Sequence, residues 1–286
     1  MLKLAVDNEF NQTDLVKAWC RKLMIKDGLK KNTIYNREKI IRKAIRAYGT
    51  QQPDHEQVED YIAAMYSAEY SYAHITNTIR AHLGYMAFIG NAIDIGYPRK
   101  PKQTIKEPLT EGEVAIIIEA ARPTRERAMI ALLAYSGCRN EELCNTRVKD
   151  VDFGANIMHV ELGKGSKSRN IPISGECTKL LLQYLADYPR DENAFLFTTL
   201  HKNDQYKPHS LRRVVNTVAK RTSIKKRVYP HLFRHSLANN MLQRGASIVT
   251  IKGQLGHNHL ETTMIYIHSN EKMLIHEYHK HAPSYT

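Results

Sequence analysis

"DVDFGANIMHVELGKGSKSRNIPIS", residues 150–174, breaks a chain that otherwise carries helical periodicity almost throughout. NIMHVEL (156–162) and SRNIPI (168–173) have the composition and alternation of strands, and GKGSK (163–167) supplies the glycines of a tight turn between them. On either side the pattern returns to helix. LTEGEVAIIIEAAR (109–122) opens with Thr110 and Glu113 at capping-box spacing, and helix continues to about Gly137. Helices resume at about Gly175 and run to the end, interrupted near NAFLFTT (193–199). The expected fold class is mostly α with a small antiparallel β-sheet in the C-terminal domain.

Upstream, TDLVKAWCRKLMIKDG (13–28) offers Thr13 as a cap and Gly28 as a terminator, and NTIYNREKIIRKAIRAYG (32–49) ends at Gly49. Two more helices are expected over Asp54–Ser67 and Tyr72–Ala92. GYPRKPKQTIKEP (96–108) holds three prolines and four Lys or Arg residues without apolar periodicity, which is linker composition. The expected layout is a helical domain over 1–98, a basic linker over 99–108 and a second domain over 109–286.

The 286 residues carry 42 Lys+Arg against 29 Asp+Glu, a formal charge of +13. That excess favours a polyanionic partner, nucleic acid first. It is densest in the N-terminal helices, where Lys22, Lys30, Lys31, Arg37, Arg42 and Lys43 belong to a run opposed only by Asp27 and Glu38; Arg99, Lys100 and Lys102 continue it in the linker. Like charge at this density repels itself unless an anion is usually near, so these residues are the candidate phosphate contacts. There is no apolar run of about twenty residues and no signal-peptide pattern, so no membrane association and a cytoplasmic location are expected. The four cysteines lie far apart without C-x-x-C pairing, and Cys138 reads as a small buried residue.

Four stretches carry chemistry. SGCRNEEL (136–143) puts Arg139 at the end of an apolar helix, where a charge needs an anion or an acidic partner, and Glu142 is one candidate partner. GKGSKSR (163–169) puts Lys164 on a glycine-flanked turn without the spacing of a nucleotide-binding P-loop. YPHLFRHSLANNMLQRG (229–245) is a helix whose Phe233, Leu237 and Met241 recur every four residues, with His231 and Arg234 on a neighbouring stripe. LGHNHLETTMIYIH (255–268) adds His257 and, nine residues on, Tyr266. His257 and His259 are not joined by acids or cysteines at ligand spacing, so no metal site is expected.

Taken in order, Arg139, Lys164, His231, Arg234, His257 and Tyr266 resemble the active site of the tyrosine recombinase family, and the layout of helical domain, basic linker and catalytic domain resembles that family over essentially the whole chain. The length is most like the two-domain Xer-type enzymes. Phe233 stands where the family usually has leucine and Ser136 where threonine often precedes the glycine; neither touches a reacting group.

The resemblance implies a site-specific recombinase that needs no cofactor, acts on double-stranded DNA at a specific site, and assembles as a homotetramer on DNA from monomers in solution. It assigns Tyr266 as nucleophile, Arg139 and Arg234 as the phosphate grip, and His231 and His257 as hydrogen-bond donors, with His231 in proton transfer. Lys164 corresponds to the general acid and Glu142 to a supporting acid that orients its neighbours. The terminal stretch NEKMLIHEYHKHAPSYT (270–286), with Met273, Leu274 and Tyr278 as anchors, is expected to dock in a neighbouring protomer or fold back on its own domain. Dimer resolution and mobile-element integration share this constellation and both stay open. A basic DNA-binding regulator without catalysis would need the positive surface but not Tyr266.

Overall fold

The computed structural model describes residues 14–101, 107–161, 168–199 and 204–256. The chain divides into two compact units, Met1–Ile105 and Lys106–Thr286.

The first unit holds four helices: α1 (Leu15–Ile25), α2 (Lys31–Tyr48), α3 (His55–Ser67) and α4 (Tyr72–Phe88). Asp14 caps α1 by accepting from Lys17 N, a correction to the expected Thr13, which lies outside the described residues. Asp14 has the β-region backbone of an N-cap, and its carboxylate is a stronger acceptor for the orphan N–H groups than a threonine hydroxyl. α3 opens on a reciprocal capping box between Asp54 and Gln57, and α2 ends on Gly49 at φ 75°. α4 stops at Phe88, short of the expected Ala92, because Gly90 turns left-handed at φ 81°. Trp19, Ile41 and Tyr85 anchor one core cluster, with Trp19 edge-on to Tyr85 at 5.4 Å, and Val58, Ile62, Ile79 and Met86 a second.

In the second unit, α5 (Glu111–Ala120) carries the expected capping box between Thr110 and Glu113. It leads to α6 (Thr124–Ser136), whose residues Ala128–Leu133 are all fully buried. A helix apolar on every side is the centre of a core, and α6 is packed by α5, by α7 (Asn140–Asn145), α8 (Gly175–Asp187), α9 (Pro208–Ala219) and α10 (Pro230–Gln243). The last described helix is α11 (Ile248–Leu255).

Three antiparallel strands, β1 (Val151–Asp152), β2 (Ile157–Val160) and β3 (Arg169–Pro172), form a sheet in sequence order. β1 escaped the sequence reading because it is only two residues long. Val160 pairs with Arg169, so residues 161–168 connect β2 to β3. Met158, Val160 and Ile171 face the core.

α10 departs from its expected single face. Its buried residues are Pro230, Leu232, Phe233, Arg234, Ser236, Ala238 and Leu242, while Leu237 and Met241 are half-buried against α11. The helix lies between α6 and α11, so it is covered on more than one side, and Arg234 is carried inward rather than along a surface stripe.

Candidate active site

The site forms where two helices end. α6 stops at Gly137, whose left-handed φ of 61° turns the chain sharply so that Arg139 becomes the residue preceding α7. α11 stops in the same way at Gly256, φ 64°. Both positions exclude a side chain on space as well as on dihedral angle: a Cβ on Gly137 would lie 2.8 Å from Leu237 Cδ2, and one on Gly256 would lie 2.6 Å from Arg169 Cδ and Nε.

Two guanidiniums latch these ends. Arg234, 2% exposed, donates from Nη1 to the Gly137 carbonyl at 2.8 Å and from Nη2 to the Leu255 carbonyl at 2.7 Å. Arg139 donates from Nη2 to the Gly256 carbonyl at 3.1 Å. Carbonyls at helix C-termini carry the negative end of the helix dipole, so cations are held well there. Burial pulls the Arg234 pKa down, and repulsion from Arg139 adds to it, to about 10. It stays a cation at neutral pH.

Glu142, 8% exposed in α7, ties the arginines together. It accepts from Arg139 Nη1 and from the Arg139 backbone N–H, each at 2.7 Å, and from Arg169 Nη1 and Nη2 at 3.0 and 2.8 Å. Burial alone would raise this carboxyl, but the hydrogen bonds from Arg169 and Arg139 outweigh it and hold the pKa at about 2. Arg169 is the member of the cluster that sequence reasoning missed. Its signal was present in the strand pattern: Ile171, two residues on, faces the core, so Arg169 at the same parity points inward too.

Arg139, Glu142 and Arg234 are thus brought together. His231 sits in the first turn of α10, exposed, three residues before Arg234. Gly256, the last described residue, contributes its carbonyl to the site. Lys164, His257, Tyr266 and the terminal stretch 270–286 lie outside the described residues, as does Lys102. Cys138 is 2% exposed, and burial pushes its thiol up to about 12, which suits packing and not nucleophilic chemistry. No group of three His, Cys, Asp or Glu among the described residues could hold a metal ion, and none of the described helices is long and apolar enough to cross a membrane.

The basic candidates of the first unit fall into distinct environments. Lys30 and Lys31 at the start of α2 are exposed, as are Arg99 and Lys100. Arg37 is half-buried. Lys22 stands 5.8 Å from the Phe88 ring centroid and Lys43 5.3 Å from that of Tyr70. Arg42 is bound internally, at 2.8 Å to Glu38 and 2.9 Å to Asp14, so Asp14 joins the acids opposing the run.

Residues 107–273 match the Phage integrase family. The chain belongs to that family. As a phage integrase family member it is a tyrosine site-specific recombinase, and its relatives agree. It is 30% identical over 255 residues to a tyrosine recombinase of Thermosipho africanus, covering 83% of this chain and 88% of the relative. It is 34% identical over 219 residues to the tyrosine recombinase XerA of Pyrococcus horikoshii, covering 75% of each. The XerA recombinase crystal structure superposes with a TM-score of 0.55 at 27% identity over 96% of this chain and all of that one. The Tn1549 transposon integrase, solved with transposon right end DNA, superposes at 0.71 over 94% of this chain and 99% of that one; at 19% identity the likeness is one of fold.

Proposed function

We propose that this recombinase cleaves and rejoins duplex DNA at a specific site through a 3′-phosphotyrosyl intermediate, with Tyr266 as nucleophile. The observation that carries the reading is the convergence of Arg139 and Arg234 on the ends of α6 and α11, the latter ending two residues before His257 in sequence. A scissile phosphate seated against them meets two guanidiniums whose planar multi-donor heads suit its oxygens, already held in place by carbonyl contacts. Such preorganised positive charge is worth most where negative charge develops on the non-bridging oxygens.

In this reading Tyr266 Oη attacks phosphorus, the bond to the 5′ oxygen breaks, and Lys164 gives that oxygen a proton. His231 and His257 donate hydrogen bonds to the phosphate, and His231 takes part in moving the tyrosine proton. The phosphodiester energy is kept in the covalent bond, so no nucleotide is consumed. Attack by a partner's 5′-hydroxyl completes an exchange, which proceeds through a Holliday junction in a tetramer of this chain on DNA. Residues 1–98 bind the DNA, with 99–108 as linker and 109–286 as the catalytic domain. The DNA partner is supported by the +13 charge and by the DNA complex of the Tn1549 integrase, a fold relative.

The test is covalent trapping. Nicked suicide duplexes carrying the host replicon's flanking sequences, incubated in EDTA without nucleotide, are expected to give a protein–DNA adduct with a free 5′-hydroxyl. A strict requirement for a divalent metal in strand cleavage contradicts the assignment.

A further inference from the structure

Arg169 has no part in the chemistry just described, yet three observations converge on it. Both its terminal nitrogens bond Glu142, the carboxylate that also holds Arg139. Its stem lies against Gly256, where the missing Cβ leaves it room: an atom there would come within 2.6 Å of Cδ and Nε. Its Nε is buried with no hydrogen-bond partner among the described residues, so the side chain accepts an unmet donor to keep the bidentate grip on Glu142.

Glu142 raises an electrostatic difficulty. A carboxylate 2.7 Å from Arg139 fixes that guanidinium but cancels its charge, and a neutral pair attracts a phosphate weakly. We propose that Arg169 is a positioning residue which neutralises Glu142, so that Glu142 can orient Arg139 while Arg139 keeps its positive charge available to the scissile phosphate. Arg169 is suited to this because it is nearly buried, with 11% of its side chain exposed, whereas Arg139, at 41%, faces outward. Arg234 does not need Arg169 in the same way: Glu142 favours its charged state while Arg139 and Arg169 oppose it, and the site carries three guanidiniums around one carboxylate. The inference rests on the reading of Arg139 as a phosphate ligand.

The experiment compares single-turnover strand cleavage on two suicide duplexes that differ only at the scissile position, a normal phosphate in one and an uncharged methylphosphonate in the other. Arg169→Gln keeps a donor and loses the charge; Arg169→Lys keeps the charge and loses the fork. Relative to wild type on the same duplex, Arg169→Gln is expected to be about tenfold or more slower on phosphate, the scale of losing preorganised charge, but within about threefold on methylphosphonate. Arg169→Lys is expected to stay within about threefold on both. Equal defects on the two duplexes, or Gln outperforming Lys on phosphate, overturn the proposal in favour of a structural role. Should circular dichroism show Arg169→Gln unfolded, the same change is made in a Glu142→Gln background, where no carboxylate needs neutralising. A further loss there of about tenfold or more overturns the proposal, and a loss within about threefold upholds it. If wild type cleaves neither duplex, the recombinase reading fails and the inference with it; if wild type cleaves and the Arg169 pattern is absent, the inference alone fails.

Discussion

Arg234 Nη1 lies 2.8 Å from the carbonyl oxygen of Gly137, two residues before Arg139. The helix that carries one arginine therefore fixes the turn that presents the other, and Gly137 is the joint.

Gly137→Ala is expected to cost stability twice over. The left-handed backbone alone costs about 1–2 kcal/mol for an L-residue, and the new Cβ must displace Leu237 and Leu255, adding about 1–3 kcal/mol of overpacking. Gly49→Ala, at φ 75° with nothing within 4 Å, carries only the first cost. Urea denaturation of the two variants should show the larger loss at Gly137, accompanied by loss of cleavage.

Glu142 sets an acid limit on the second unit. Its folded pKa of about 2 lies below an ordinary carboxyl near 4.5, so its stabilisation is complete above about 4.5 and is lost as pH falls toward 2. The amount is roughly 3 kcal/mol from the size of the shift. Glu142→Gln should flatten the acid limb of the stability profile between these values. An unchanged limb places the acid sensitivity elsewhere.

The basic residues of α2 should separate by environment. Lys30→Ala and Lys31→Ala, at exposed positions, should each reduce the slope of log affinity against log salt by about 0.9. Arg42→Ala, whose guanidinium is occupied by Asp14 and Glu38, should leave the slope unchanged and lower the first unit's stability by about 1 kcal/mol or less. An equal fall in slope for all three would mean that Arg42 leaves its ion pairs for phosphate.

Much of this was legible in the sequence because it is local. The Thr110–Glu113 capping box, the terminating Gly49 and the two longer strands are set by residues within a few positions of one another. Arg139 was flagged because a charge ending an apolar helix is anomalous on its own. Arg169 was not, since its partner Glu142 lies 27 residues away and its room is made by Gly256 on another helix. The inward face of α10 was misjudged for a related reason: periodicity assumes one covered side, and α10 is covered by both α6 and α11.

Lys164 separates a solvated turn residue from a general acid. As the acid, Lys164→Ala should slow cleavage by about a hundredfold or more. A substrate with sulfur at the scissile 5′ bridging position should restore most of that rate, because a thiolate leaves without the proton. The same substrate should do little for Arg139→Ala, whose defect is uncompensated phosphate charge. Failure of the sulfur substrate to rescue a folded, DNA-binding Lys164→Ala protein would remove Lys164 from the role.

The most direct measurement is covalent adduct formation by Tyr266→Phe on a suicide duplex that wild type cleaves, with DNA affinity measured in parallel. Only the phenolic oxygen is removed, so wild-type binding and no protein–DNA adduct are expected. Adduct formation by Tyr266→Phe at the wild-type level would contradict this and move the nucleophile to another residue, with Tyr278 the next to test.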